Sequence, residues 1–586
     1  MAYVVTPIKD SQRAVFTKGD FVVLLLVAFF LIGIVMTAER WHETLTPDLP
    51  IHLTASALPK YALYSLFRAL IAYGFSLGFT LVIGYWAAKR RAAEQIILPL
   101  LDIGQSIPVL GFLPGLVLGL IALFPHSNFG LELACIIMIF TGQVWNMTFS
   151  FYSSLKSVPQ HFFELSQNVA LNWRQRLWTI ELPYSASGLA WNSLMSMAGG
   201  WFFLTVCEAF TLGDRHFRLP GLGSYMAVAI DKGDMRAMMM GVATMVVVIV
   251  AMDFFIWRPL VAWTSRFRLD EQEDEAREIP FMELLLKESK VVKIFQSVLR
   301  WVAQSRPQEL VVVSTNARKR RSMFNFQFLQ RVLQRGRNKR WVQMFWAVVF
   351  ITAVVVVSGR LYALVESLSV WDYWTILKNT GATFTRVVVV LVVASVWTVP
   401  FGIWVGLSPR LTRFFQPIIQ VAASFPAPML YPIVLFVLSR LGIGLGIGAA
   451  VLMMIGVQWY ILFNVLAGAT NISKELRDTF DLTGVSKRET WINLYLPSVF
   501  PNLVTGWVTA AGGAWNASIV AEYIHYQGET LTTTGLGALI SAATATGNYA
   551  MLTASLVVMV GVVVVLNRLV WHPTYAFVER RYRFER

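Results

Sequence analysis

The sequence predicts an all-α polytopic membrane protein: two tandem six-helix halves related by a pseudo-two-fold axis along the membrane normal. Three observations carry that prediction: an apolar composition, about twelve apolar runs of membrane-spanning length, and an internal repeat in constant register. Of 586 residues, 56% are hydrophobic and 14% charged, with a mean hydropathy of +0.58, whereas soluble domains carry about a quarter charged residues. The formal charge of +15 would suit a nucleic-acid binder only as a basic face on a soluble domain. Here the charge lies between apolar runs, so no nucleic-acid partner is expected. Cys135 and Cys207 both fall inside apolar runs, which excludes a disulfide scaffold and a cysteine-rich metal site.

A hydrocarbon core of about 30 Å needs roughly 20 apolar residues per helix. In the first half the runs that meet this are 20 to 37, 61 to 87, 97 to 124, 131 to 152, 184 to 210 and 238 to 262. In the second they are 342 to 364, 380 to 407, 415 to 438, 446 to 469, 497 to 524 and 549 to 571. Lys9, Arg13 and Lys18 precede the first run, and Glu39-Arg40-Trp41 follows it with no small-residue cleavage site, so it reads as an uncleaved anchor. Lys and Arg concentrate in the loops this count places inside, which puts both termini in the cytoplasm. The expected division is a first domain at 1–263, a cytoplasmic linker at 264–341 and a second domain at 342–586.

The repeat fixes how the halves correspond. Arg68, Gly84, Pro99, Pro108 and Pro114 return 318 residues later as Arg386, Gly402, Pro417, Pro426 and Pro432. After a four-residue shortening the offset is 314, and Pro183, Trp201, Glu208 and Gly221-Leu222-Gly223 pair with Pro497, Trp515, Glu522 and Gly535-Leu536-Gly537. Six spans per half give both halves the same topology, with a pathway expected at the repeat interface. In the linker, residues 280–303 have the spacing of an amphipathic helix. The clusters 318–321 and 335–340 are basic, which suits either an anionic lipid surface or a solvated positive-inside flank.

The loop between the fourth and fifth spans has one pattern in both halves. Glu164 is followed by Ala170, Ile180 and Leu182-Pro183; Asp478 is followed at the same spacing by Gly484, Leu494 and Leu496-Pro497. A small residue permits a tight turn and proline suits the start of the next helix. This pattern resembles the cytoplasmic loop of the permease subunits of ATP-binding-cassette importers. Arg68 or Arg386, Ile107-Pro108 or Phe425-Pro426, and the Trp-to-Glu, Gly-Leu-Gly stretch make it similar to the nitrate/taurine/sulfonate/bicarbonate branch. The likeness covers nearly all of both halves, and the chain departs from it at Ala170, where the family has glycine, and at Asp478-Thr479-Phe480, where the family has Glu-Ala-Ala. A less sharp first turn is therefore expected.

The resemblance implies two type I importer permease domains in one chain, in a bacterial cytoplasmic membrane. Two ATPase subunits bearing ATP and Mg would sit on the cytoplasmic loops, a solute-binding protein outside, and membrane lipids around the helices. Within the spans, Arg68, Arg386, Glu208 and Glu522 each need a compensating partner or water. Two roles stand open: binding an anion on the pathway, or forming Arg–Glu pairs between helices. Glu132 and Asp253 lack acidic counterparts and are placed near the membrane edges. Pro108, Pro114, Pro426, Pro428 and Pro432 are expected to kink the third span, either along the pore or in plain helix packing. Trp201 and Trp515 are candidates for the path or for an interfacial belt.

No Gly-x4-Gly-Lys-Ser/Thr phosphate loop, metal-ligand spacing or catalytic set occurs in the sequence, so the chain is not expected to be an enzyme or to hold a cofactor. Two alternatives remain at this level: a fused permease for ferric iron or thiamine, and an ion-gradient-driven carrier with Glu208 and Glu522 as a relay.

Overall fold

The computed structural model describes residues 18–267 and 362–582, apart from 47, 107, 213 and 214, with isolated positions between 348 and 359. Residues 280–303, the two basic clusters of the linker and most of the run 342 to 364 lie outside the described residues. The chain divides into two compact units, one of Met1–Ala28 with Glu283–Leu368, the other of Phe29–Met282 with Ser369–Arg586. The second unit carries the helices of both halves, apart from residues 18–28 at the start of the first helix and those before 369.

In the first half α1 (Lys18–His42) leads to α2 (Ala55–Lys89), α3 (Arg91–Ser106), α4 (Leu113–Leu123), α5 (Phe129–Lys156) and the loop helix α6 (Gln160–Asn168). Then come α7 (Leu182–Cys207), strands β1 (Ala209–Leu212) and β2 (Arg215–Arg218), α8 (Leu222–Asp231) and α9 (Met235–Thr264). The second half repeats this order as α10 (Val370–Gly406), α11 (Pro409–Ser424), α12 (Tyr431–Arg440), α13 (Leu445–Thr470) and the loop helix α14 (Lys474–Leu482). It continues with α15 (Leu496–Ala521), β3 (Tyr523–Tyr526), β4 (Glu529–Thr532), α16 (Leu536–Thr546) and α17 (Tyr549–Val578). The two antiparallel hairpins β1–β2 and β3–β4 are additions to the all-α expectation. Each closes on a cross-strand Thr–His hydrogen bond, Thr211 with His216 at 3.0 Å and His525 with Thr530 at 2.9 Å.

Among the described residues, seven helices are long and apolar enough to cross a membrane, or eight if α11 and the stretch Ala427–Arg440 form one bent span. Two causes beyond the undescribed run separate this from twelve. The third run of each half is broken and not merely kinked: Phe425 and Pro426 are extended (ψ 128° and 111°), and the flanking helices meet at 85°. Proline forces its predecessor out of the helical region and ends the helix there. The first half breaks at the same place, after Ser106, with Pro108 extended (ψ 107°).

The fifth run is the second cause. Helices α7 and α15 have 26 residues each, about 39 Å of helix at 1.5 Å per residue, but they are rich in Ser, Gly and Asn. Those residues set close packing. A Cβ on Gly506 of α15 would lie 3.1 Å from the Ile461 Cα of α13, the small-residue approach by which membrane helices pack. Trp201 and Trp515 are 1% and 2% exposed on the same two helices.

Prolines at the helix ends also behave differently from expectation. Pro183 and Pro497 do not begin fresh helices, because the chain is already helical from Trp173 and Lys487. Each is preceded by one wide turn, Leu177–Glu181 and Trp491–Tyr495, and the same holds before Pro259 and Pro573, at Asp253–Trp257 and Asn567–Trp571. Proline removes one backbone donor and its ring collides with the carbonyl four residues back. An i→i+5 turn relieves that collision without ending the helix.

Candidate functional site

Arg68 of α2 is 1% exposed and grips two carboxylates. Its Nε and Nη2 form a two-pronged contact with Glu132 of α5, the latter at 2.7 Å, and its Nη1 donates to Glu208 at 2.7 Å and to the Pro220 carbonyl at 2.8 Å. Ser65, one turn before Arg68, donates to Glu208 at 2.7 Å and accepts from the Leu222 amide at 2.9 Å. Of the two roles open to the arginine, the pairing one is occupied. Glu132, in the first turn of α5, is the second buried carboxylate of this cluster, 1% exposed. Asp253 is likewise buried, pairing with Arg258 at 2.7 Å and accepting from Gln420 of the other half.

The second half builds the same cluster with one carboxylate fewer. Arg386 donates to Glu522 at 2.8 Å, to the Thr534 carbonyl at 2.6 Å and through Nε to the Gly446 carbonyl at 3.1 Å. Gly446 stands 314 residues after Glu132, so a neutral carbonyl replaces the acid. Thr383 takes the place of Ser65, donating to Glu522 and accepting from the Leu536 amide at 2.8 Å.

These clusters explain the Gly-Leu-Gly pattern. Each glutamate caps the helix that follows it: Gly223 N–H donates to Glu208 at 2.7 Å and Gly537 N–H to Glu522 at 2.9 Å. A carboxylate is favoured at a helix start, where amides are unpaired and the dipole is positive. The preceding glycine makes the approach possible, since a Cβ on Gly221 would stand 2.2 Å from the Glu208 carboxylate and one on Gly535 2.1 Å from that of Glu522.

The loop helices α6 and α14 are exposed at Glu164 and Asp478. Ala170 and Gly484 end them in the left-handed region, φ 54° and 68°, so the first turn is as sharp as the second and alanine bears the strain, about 1–2 kcal/mol for an L-residue. Ala170→Gly is accordingly expected to raise stability by up to about 1 kcal/mol, read as a higher unfolding midpoint in detergent. Leu494 is buried at 4% exposure, Ile180 and Leu182 are half-buried, and Leu496 is exposed.

Sequence reasoning missed what ties the loops to the membrane helices. Position 89 contacts position 163 in the first half, and the equivalent 407 contacts 477 in the second. Lys89 stacks over Phe163, 5.0 Å from the ring centre, whereas the Leu407 carbonyl accepts from Arg477 at 2.7 Å. The first half adds fully buried Glu181, which receives Lys89 at 2.7 Å and Arg176 at 2.9 Å. Its only sequence signal is a lone acid between Ile180 and Leu182.

Above the loops, a cavity of about 180 Å³ lies between the halves. Its polar lining is Gln105, Thr141, Asn146, Tyr460, Thr509, Asn516 and Asn567, and its walls include Trp145, Phe202, Phe425 and Trp515; among the described residues no Lys, Arg, Asp or Glu lines it. Trp515 therefore faces the cavity, but Trp201 packs instead in a crevice with Met197, Trp257 and Gln420. Arg68, Arg386, Glu208 and Glu522 are not among the lining residues. The broken third spans are: Pro108 and Pro426 precede short turns that place Val109 and Ala427 on the wall. The Val109 amide donates to Asn516 at 2.8 Å, joining the halves. Ile107 lies outside the described residues.

Comparison with known proteins agrees with this architecture. The family model described as "Binding-protein-dependent transport system inner membrane component" matches twice, at residues 80–256 and 398–583. The taurine transport system permease protein TauC of Escherichia coli (strain K12) is 25% identical over 170 residues, 29% of this chain and 58% of that protein. The nitrate import permease protein NrtB of Synechococcus elongatus is 28% identical over 24% of this chain and 50% of its own length. The bicarbonate transport system permease protein CmpB of the same species is 27% identical over 25% and 51%. The chain thus spans about half the length of these curated relatives in each match. Among solved structures, the inward-facing MetNI methionine ABC transporter aligns with a TM-score of 0.31 and 18% identity, over 36% of this chain and 99% of that one. With the family domain matched twice over more than half of its length, this chain belongs to the binding-protein-dependent transport system inner membrane components, as a fused pair of ABC permease domains.

Proposed function

We propose that the chain supplies both membrane halves of an ATP-driven importer for a small anion of the nitrate, taurine or bicarbonate kind, in a bacterial cytoplasmic membrane. The observation that carries this reading is a cavity lined by both halves above two exposed loop helices, each latched to a membrane helix at equivalent positions, 89 with 163 and 407 with 477. In this mechanism ATP and Mg are held by two separate ATPase subunits seated on Glu164–Pro183 and Asp478–Pro497, and a binding protein delivers the solute outside. When the ATPases close, the loop helices move with them, and the latches pass that movement to α2 and α10 as rigid bodies. Leu182, Leu496 and the prolines beside them continue the push into α7 and α15, which wall the cavity.

The uncharged lining suits transient passage. Amide, hydroxyl and phenol donors desolvate an anion without the fixed positive charge that would hold it. Ferric iron is disfavoured, because a hard cation selects carboxylate ligands and the wall has none among the described residues. A relay role for Glu208 and Glu522 is disfavoured as well, since both are bound to arginine. Replacing 160–178 and 474–492 with unrelated linkers is expected to abolish co-purification of the ATPases; undiminished ATPase binding would overturn the reading.

A further inference from the structure

Glu181 joins three elements of the first half, and the second half has no counterpart to it. It stands immediately before α7 and is fully buried. Its Oε1 accepts from Nζ of Lys89, the last residue of α2, at 2.7 Å, and from Nε of Arg176 at 2.9 Å. The same two cations lie over the Phe163 ring of α6, 5.0 Å and 5.6 Å from its centre. One carboxylate and one ring thus hold the cytoplasmic end of α2, the loop helix and the start of α7 together. In the second half Leu407, Arg477, Thr490 and Tyr495 stand at the positions of Lys89, Phe163, Arg176 and Glu181. Leu407, Thr490 and Tyr495 carry no charge, so no ion pair can form among these four positions. There α14 is fastened to α10 by Arg477 on the Leu407 carbonyl, and the Tyr495 ring meets Trp491 of its own wide turn.

A buried carboxylate is compensated only while its cations stay beside it, and separating them leaves the charge unpaired. Helix α6 therefore cannot swing without either drawing α2 and α7 along or breaking this cluster, whereas α14 meets no such penalty at the start of α15. Both helices wall the cavity, α7 with Ala198, Gly199, Phe202 and Phe203 and α15 between Val508 and Ala517. We propose that Glu181 is a positioning residue for the coupling step, the group through which movement of the first loop helix reaches α7 as rigid-body motion. The two walls are then driven unequally, the α7 wall through an ion cluster and the α15 wall through packing alone. This rests on the reading that ATPases seat on the loops and move them.

The test is amide hydrogen exchange, read by mass spectrometry, on the full chain co-purified with its ATPase subunits, without nucleotide and trapped with Mg-ATP and vanadate. In the wild type, trapping should change exchange at 160–168 and at 176–190 together. Glu181→Gln should keep the bound ATPases and the change at 160–168, and lose the change at 176–190. Lys89 and Arg176 are 23% and 29% exposed and can turn to water, so this variant strands no fully buried charge. Lys89→Met combined with Glu181→Gln is the second variant, to be read in the same way if the single one unfolds. Tyr495→Phe, the matched change in the second half, should leave the response at 490–504 as in the wild type. A response at 176–190 that survives in Glu181→Gln overturns the proposal and leaves the importer reading intact. Lowered unfolding midpoints with loss of ATPase in both Glu181 variants make the role merely structural and overturn it too; no nucleotide response anywhere in the wild type overturns both readings.

Discussion

Arg68→Met is expected to be the most damaging single substitution in the membrane interior, with a loss of about 4 kcal/mol or more. Removing one partner of a buried ion pair costs about 3–5 kcal/mol, because the other charge stays behind without compensation. Arg68 leaves two such charges, Glu132 and Glu208, at 1% and 0% exposure. Arg386→Met leaves only Glu522, which keeps its bonds from Thr383 and from the Gly537 and Ala538 amides, so a smaller loss of about 2–3 kcal/mol is expected. The comparison is read from unfolding midpoints and the yield of monodisperse protein in detergent. The triple variant Arg68→Met, Glu132→Gln, Glu208→Gln should recover part of the loss by removing the stranded charges. Equal damage from the two arginine variants would contradict the inequality of the clusters.

Gly221→Ala and Gly535→Ala are the second pair with a large expected effect, about 2–3 kcal/mol each. The new methyl would enter the space of a carboxylate that cannot step aside without leaving its arginine and its helix-start amides, so overpacking and lost hydrogen bonds act together. Gly74→Ala in α2 is the matched control, since a Cβ there meets nothing within 4 Å, and no loss is expected from it. Unfolding midpoints for the three variants decide the matter; similar values for all three would mean that the glycines are not there to admit the carboxylates. Because the glutamates lie outside the cavity, the glycine variants that do fold should retain solute selectivity while losing stability.

How much of this was legible in the chain depended on distance along it. Composition, the apolar runs and the 318- and 314-residue offsets established a duplicated helical membrane protein, because these properties are local or periodic and survive without knowledge of contacts. The loop pattern around Glu164 and Asp478 was visible for the same reason. Single-chain reading went wrong where a residue's environment is made by distant elements. Glu132 shows no partner in the sequence because its counterpart is Gly446, and only folding brings it 64 positions back to Arg68. Ala170 looked like a softer turn because sequence shows that alanine disfavours the left-handed region, not that the Ala170 and Leu171 amides close the turn onto the Gln167 and Ser166 carbonyls. The breaks at Pro108 and Pro426 could be placed, but their 85° consequence in the second half and their use as cavity wall could not.

The sequence alone thus determined the class, the duplication and the loops, all carried by hydropathy and spacing. Tertiary structure alone decided which charges are paired, which tryptophan faces the cavity, and how each loop is fastened to its helix. The physical reason is that a charge or ring in a membrane protein takes its role from the partner that compensates or covers it, and here Glu132 and Asp253 meet theirs 64 and 167 residues away along the chain.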